Sequence, residues 1–368
     1  MAPSAIEAET PSTISNGNAP SKGSRLLRAP LKASGLLDQH HFFESTTIIG
    51  REYPDVQIAD LMRSPQRDQY IRDLAITVSQ RCVVFFRKQD GMTPELQKEL
   101  ALLLGSLTGR PATNGLHIHP LVEGKMEVDF IDRNVNVISS HISQKLQGEE
   151  YGDRYRFSSG GWHSDMGWEE RPSDYAVLKM NETPHSGGDT LWASGYEVYD
   201  RLSARMQRFL DGLTAVHDNP QFIAQAQRVG FKIHPGPRGA PENVGTHLTA
   251  THPLIRTNPV TGWKSVFSSF GGTPRINELT PQESDQMLKY LAKMCHQNHD
   301  LQVRFKWGVN DIAIWDNRCA YHTATKDLDG SGPRTGRRTA GIGEEPYLDP
   351  ASTSRREALA AKEISGWR

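Results

Sequence analysis

Trp162-His163-Ser164-Asp165 is the stretch that most constrains this chain. On a strand, side chains two apart point to the same face. The imidazole of His163 and the carboxylate of Asp165 then aim at one point, with Ser164 turned away. Two such groups do not close a metal site. A third donor must come from a remote part of the chain, so a sheet has to bring that part back to His163.

A second imidazole in that place would complete the 2-His-1-carboxylate arrangement of non-haem Fe(II) oxygenases, which leaves three coordination positions on one side of the metal. Two accept a chelating co-substrate and one accepts O2. His-x-Asp is weak by itself: a chain with 14 histidines holds roughly one by chance, and this chain holds one. The reading therefore depends on the residues beyond Asp165.

The 368 residues are 36% apolar and 23% charged, which suits a globular protein with a sizeable core. A formal net charge of −1 argues against a nucleic-acid binder or an anionic-membrane binder. No apolar run reaches the length of a membrane span. Cys82, Cys295 and Cys319 are odd in number and form no C-x-x-C, as expected in a reducing compartment, and a cytoplasmic location is the expectation.

Residues 1–34 are rich in Ala, Ser, Pro, Asn and Gly and read as a disordered tail without a secretory signal peptide. A domain over 35–350 comes next, and 351–368 reads as a polar, frayed tail. Cys82–Arg87 reads as a buried strand, and Thr93-Pro94-Glu95 caps a helix with a leucine stripe that Gly105 ends. His117 and His119 share a face if the segment is extended. After Asp165, Trp168 and Tyr175–Lys179 suggest a continuing strand. Gly187-Gly188 turns into a strand carrying Thr190, with no Lys-Ser/Thr to make a phosphate loop.

Ser194-x-x-Glu197 is a capping box, and Met206, Phe209, Leu210 and Leu213 mark a helical face, opening a helical or lid-like insert over about 194–251. A hairpin is expected within His252–Phe267, a capped helix after Thr280, and strands at Val303–Trp307, Ile312–Trp315 and Arg338–Ile342. The expected fold is mainly β with helical decoration, a β-sandwich or jelly-roll.

Trp162-His163-Ser164-Asp165, Gly187-Gly188-Asp189-Thr190-Leu191-Trp192 and Asn310–Arg318, followed by His322, Arg334 and Arg338, resemble the TauD/TfdA family of Fe(II)/2-oxoglutarate dioxygenases in order and content. The likeness is greatest to the fungal sulfonate-dioxygenase branch and runs from about Val84 to Tyr347. It implies a double-stranded β-helix with iron held by His163, Asp165 and His322, and 2-oxoglutarate and O2 as co-substrates. It also implies Arg334 on the distal carboxylate of 2-oxoglutarate, with Thr190 hydrogen-bonded to that co-substrate. His119 and Arg338 would meet an anionic substrate.

The substrate side departs from the taurine pattern. Ser159 stands in place of an asparagine, Val122 of a tyrosine and Gly272 of a phenylalanine, while Phe222 keeps an aromatic wall. The expected reaction is hydroxylation of a small-to-medium anionic molecule, best a sulfonate that then releases sulfite and an aldehyde. A carboxylate or a natural-product intermediate is the alternative. Two other classes fit less well: a zinc hydrolase, which has no use for Arg334 and Thr190, and a non-catalytic cupin-like binder, against which the complete triad argues. The partner is a small molecule, without nucleic acid or membrane, and a homo-oligomer stays open.

Overall fold

The computed structural model describes residues 29–121, 132–147, 158–268, 270, 272–328 and 331–364. Its larger sheet has seven strands in the order β1 (Phe43–Glu44), β2 (Arg51–Tyr53), β3 (Val83–Phe86), β13 (Ile312–Asp316), β5 (Ser173–Glu182), β15 (Thr335–Ile342) and β4 (Asn136–Ser139). A second sheet has the order β12 (Gln302–Phe305), β6 (Thr190–Ser194) and β14 (Ala320–Ala324).

The alternation of side chains along β3 and β13 explains why these runs are apolar throughout. Val83, Phe85, Ala313 and Trp315 pack with Trp192, Val303, Phe305 and Ala320 between the two sheets. Val84, Phe86, Ile312 and Ile314 face the other way, onto helices α1 (Ile58–Arg63), α2 (Arg67–Arg81) and α3 (Pro94–Ser106). Phe85 stacks on Phe305 at 4.1 Å and meets Trp192 edge-on at 5.3 Å. Each such fully buried aromatic contributes on the order of 1.5–3 kcal/mol of burial. The family likeness and this sheet-on-sheet core agree on a jelly-roll with helical decoration.

Several elements differ from expectation. Helices α1 and α2 carry no clear sequence signal, because charged residues interleave the stripe Ile71, Leu74, Ala75 and Val78. Gly105 lies inside α3, one residue before its end, and is a glycine for another reason: a Cβ there would sit 2.1 Å from the Arg110 guanidinium. That guanidinium pairs with Asp174 at 2.6 Å. No strand continues from Asp165; Met166 has φ +60°, the chain turns, and β5 starts only at Ser173.

The segment 194–251 is not wholly helical. Helices α5 (Gly195–Asp200), α6 (Ala204–Leu210) and α7 (Pro220–Val229) alternate with β7 (Thr214–Asp218) and β8 (Thr249–Pro253), which join β11 (Arg275–Ile276) in a sheet ordered β11-β7-β8. Phe209 is exposed, so the expected inward face of α6 narrows to Leu210 and its neighbours. The hairpin is β9 (Ile255–Thr257) with β10 (Lys264–Val266), and Thr280 completes a capping box on α8 (Pro281–Gln297).

Residues 351–364 are ordered where fraying was expected, and 365–368 lie outside the described residues. The Lys264 amide donates to Thr353, and α9 (Arg355–Ile364) has its Arg356 amide on Asp200. Residues 1–28 of the expected tail lie outside the described residues. The rest of it is tied down: Leu31 bonds to Val260, and Ser34 bonds to Asp73 through backbone and side chain. Helix α4 (Ser140–Gln147) follows β4.

Candidate active site

His163 and His322 meet through their backbones. Each N–H donates to the other's carbonyl, at 3.1 and 2.8 Å, forming an isolated antiparallel bridge between β14 and the chain leaving the turn Ser158–Gly161. The imidazole centroids are 4.3 Å apart. Asp165, two residues on, brings Oδ1 to 3.9 Å from Nε2 of each histidine. One ligand atom from each of the three residues lies within 4.8 Å of the others, and no other such group exists among the described residues.

Neighbouring groups set the orientation of these donors. The Gly161 carbonyl can only accept, so Nδ1–H of His163 donates to it at 2.8 Å and leaves the Nε2 lone pair facing inward. Asn317 accepts from the Asp165 amide at 3.1 Å and from the Trp315 indole at 2.9 Å, fixing the turn that carries the carboxylate. Oδ2 of Asp165 is buried without a hydrogen-bond partner among the described residues. A carboxylate with one oxygen 3.9 Å from two imidazole nitrogens and the other left without a partner, with no thiolate in the group, fits a divalent cation that accepts nitrogen and oxygen donors.

Electrostatics keep Asp165 ionised and His322 neutral. Burial alone would raise the Asp165 carboxyl, but the Arg338 guanidinium and the imidazoles of His322 and His163 outweigh it and hold the group below its ordinary range. Burial, reinforced by His163, pushes His322 down to about 3. The Arg338 guanidinium donates directly to Asp165 Oδ1. It does not pair with Glu344 or Glu345, which serve Arg256 and Arg171.

Arg334 and Thr190, which the resemblance assigns to the co-substrate, lie side by side. Both are buried, and Arg334 donates from Nη2 to Thr190 Oγ1 at 3.1 Å and from Nε to the Gly188 carbonyl at 2.7 Å. The close approach accounts for Gly188, which has φ +67°: a Cβ there would lie 2.9 Å from Cδ of Arg334. Arg334 precedes β15, and the register shifts between Thr335 and Gly336, so Arg334 and Arg338 do not simply share one strand face. Trp307 also donates to Thr190 Oγ1, at 3.0 Å.

The proposed substrate residues are only partly gathered. His119 and Arg338 line one small cavity beside the cluster of His163, Asp165 and His322, which Arg338 reaches through Asp165. Burial, His117 and Arg338 together push His119 down to about 3, and its Nδ1 accepts from the Leu121 amide at 3.1 Å. Its Nε2 is therefore the N–H donor. Phe222 stands behind His119 with ring centroids 4.9 Å apart and is not part of the cavity lining. Ser159 lies in the turn before His163 and does not line the cavity either. Val122 lies outside the described residues, and the Gly272 carbonyl accepts from the Asp218 amide.

Sequence reasoning missed a buried ion pair behind this wall. Arg238, in the insert, grips both oxygens of Glu169 at 2.5 and 2.8 Å, and His117 Nε2 lies 3.6 Å from Glu169. Glu169 comes four residues after Asp165, but its partner sits in an irregular segment where no pattern points to it. His117 and His119 belong to no metal-ligand group among the described residues: His117 Nε2 lies towards Glu169, and His119 Nδ1 accepts from the Leu121 amide.

The family model for taurine catabolism dioxygenases, TauD/TfdA, matches residues 41–340. The chain belongs to the TauD/TfdA family. An α-ketoglutarate-dependent dioxygenase, btcD of Neocamarosporium betae, is 47% identical over 90% of this chain and 99% of its own length. The α-ketoglutarate-dependent sulfonate dioxygenase of Saccharomyces cerevisiae is 32% identical over 83% of this chain and 67% of its own. A solved taurine dioxygenase from Burkholderia xenovorans superposes with a TM-score of 0.62 at 26% identity, covering 85% of this chain and 92% of that one. This TauD/TfdA protein is an α-ketoglutarate-dependent dioxygenase, an oxidoreductase whose family uses 2-oxoglutarate and a metal. No helix among its described residues is long and apolar enough to cross a membrane.

Proposed function

We propose that the chain is an Fe(II)-dependent member that hydroxylates a small-to-medium anionic organic molecule. The observation that carries this reading is the meeting of His163, Asp165 and His322 donors within 4.8 Å, beside the Arg338 guanidinium. Iron bound there supplies O2 activation coupled to decarboxylation of 2-oxoglutarate to succinate and CO2. Neutral Nε2 atoms and an ionised carboxylate are the donor forms such a metal needs.

Arg334 and Thr190 hold the distal carboxylate of 2-oxoglutarate. A fork of guanidinium donors suits that carboxylate better than a point charge. The Thr190 oxygen already accepts from Arg334 and Trp307, so its own O–H proton is the one left to donate. On the substrate side, the Nε2–H of His119 and the Arg338 guanidinium orient an anionic group so that a neighbouring C–H faces the metal position.

A sulfonate is the first choice. Hydroxylation of the carbon next to sulfur gives an adduct that expels sulfite as the carbonyl forms, leaving an aldehyde. A carboxylate or natural-product intermediate is the second reading. It is favoured because relatives named for sulfonates match at 32–33% identity, while three at 40–47% carry no substrate in their names.

The test is a panel of sulfonates and carboxylates scored by substrate-stimulated succinate release. Chelation should remove the activity, and Fe(II) with ascorbate should restore it. Restoration by Zn2+ in place of Fe(II) would overturn the reading.

A further inference from the structure

The cavity beside Arg338 has a second guanidinium in its wall. Arg133 lines it together with His119, Asn136 and Arg338, and no Asp or Glu stands among the described lining residues. We propose that Arg133 is a specificity residue that meets a second anionic group, so that the substrate is a dianion. This rests on the reading that His119 and Arg338 receive an anionic group of the substrate.

Arg133 is not on a loose loop. The turn that carries it is tied at both sides: the Val135 amide donates to the Asp132 carbonyl at 3.1 Å, and the Asn134 amide to the Asp132 carboxylate at 2.9 Å. Lys98 pairs with that same carboxylate. The Asn134 side chain donates to the carbonyls of Leu116 and His117, both at 3.3 Å, which seats the turn on the strand-like segment carrying His119. The guanidinium of Arg133 makes no ion pair among the described residues, in contrast to Arg338, whose charge is shared with Asp165.

The sheet register puts a neutral amide beside Arg338. Asn136 stands directly opposite Arg338 in the β4–β15 pairing, so their side chains emerge on the same face. The lining thus offers two cations, two imidazoles and two amides, with Met166 and Ala340 as its apolar members. A monoanion is matched by Arg338 and His119 alone. A zwitterionic aminosulfonate would place its ammonium beside guanidiniums, with no carboxylate among the described lining residues to receive it, and such like-charge juxtaposition disfavours binding. A molecule with anionic groups at both ends leaves neither guanidinium unmatched.

The experiment uses the whole chain loaded with Fe(II) and saturating 2-oxoglutarate without O2, so that the co-substrate site is filled. Calorimetric titration compares three ligands on one three-carbon chain: 3-sulfopropanoate, propane-1-sulfonate and 3-aminopropane-1-sulfonate. Glutarate, pentanoate and 5-aminopentanoate repeat the comparison for carboxylates. In at least one series the dianion should bind about tenfold or more tighter than the monoanion, with the zwitterion weakest. Arg133→Gln should erase that preference while leaving the monoanion and 2-oxoglutarate affinities unchanged, and Arg133→Lys should keep part of it. Equal binding of monoanion and dianion, tightest binding of a zwitterion, or an unchanged preference in Arg133→Gln would overturn the proposal while sparing the anion pocket. Failure of every anion in both series, or binding indifferent to Arg338→Ala, would remove the anion pocket itself and this proposal with it.

Discussion

The Thr190 hydroxyl accepts a hydrogen bond from Nη2 of Arg334 at 3.1 Å, joining the first residue of β6 to the residue just before β15. Both side chains are buried, and the Trp307 indole donates to the same oxygen. Thr190→Val would leave two buried donors without this acceptor, at a cost of about 1–3 kcal/mol for a lost partner. The expected outcome is a KM for 2-oxoglutarate raised roughly tenfold or more, with metal affinity unchanged and with Thr190→Ser close to wild type. Arg334→Ala should raise the same constant further, by about 30-fold or more. Steady-state kinetics at fixed substrate decides it: a Thr190→Val enzyme with normal 2-oxoglutarate dependence would place the co-substrate elsewhere.

The Arg238–Glu169 pair should dominate the stability of the wall behind His117. Both side chains are about 1% exposed and bonded through two contacts. Glu169→Ala leaves a buried guanidinium uncompensated, which costs about 3–5 kcal/mol. The double variant Glu169→Leu with Arg238→Met should recover much of that loss, since an apolar replacement of a buried pair is often neutral. Urea denaturation measures both. A Glu169→Ala loss under about 1 kcal/mol would mean water reaches this pair.

Much of this arrangement was legible in the sequence, and the exceptions have a common cause. The His163/Asp165 pairing was visible in the residue types and their spacing, whereas His322, Arg334 and Thr190 were named through the order of the family motifs, and the structure brings His322 to the first pair and Arg334 to Thr190. Asn317 was visible only as part of a motif; that it holds the Asp165 amide depends on a contact between distant turns. Arg238 and Glu169 were illegible because a long-range ion pair leaves no local periodicity. The helix Arg67–Arg81 hid its apolar stripe among charged residues, and the polar C-terminal stretch forms α9 because Asp200 and Lys264 provide tertiary anchors.

Acid should destabilise the fold through its buried neutral histidines. His252 donates to the Gly167 and Glu169 carbonyls at 2.8 and 3.1 Å, and burial, with Arg256, pushes it down to about 4. His217, in ring contact with it at 5.2 Å, is lowered well below its ordinary value, chiefly by burial. An unfolded histidine binds its proton near pH 6.5, where the folded ones refuse it. Their contribution is therefore complete above about pH 6.5 and is lost as pH falls towards the folded values, by up to about 1.4 kcal/mol per pH unit per histidine. Unfolding free energies between about pH 7.5 and 5 should show that slope, flattened in His252→Gln. A slope unchanged by His252→Gln would assign the acid sensitivity to other groups.

The metal assignment meets its sharpest test in an anaerobic titration of Fe(II) into the metal-free protein, followed by 2-oxoglutarate and read by visible absorption and calorimetry. Wild type should take up one Fe(II) and then develop a charge-transfer band with stoichiometric 2-oxoglutarate. His163→Ala, Asp165→Ala and His322→Ala should each lose both signals, whereas Arg334→Ala should keep the metal and need far more 2-oxoglutarate to reach the band. Stoichiometric Fe(II) binding with an undiminished band in any of the three ligand variants would contradict the assignment of this site.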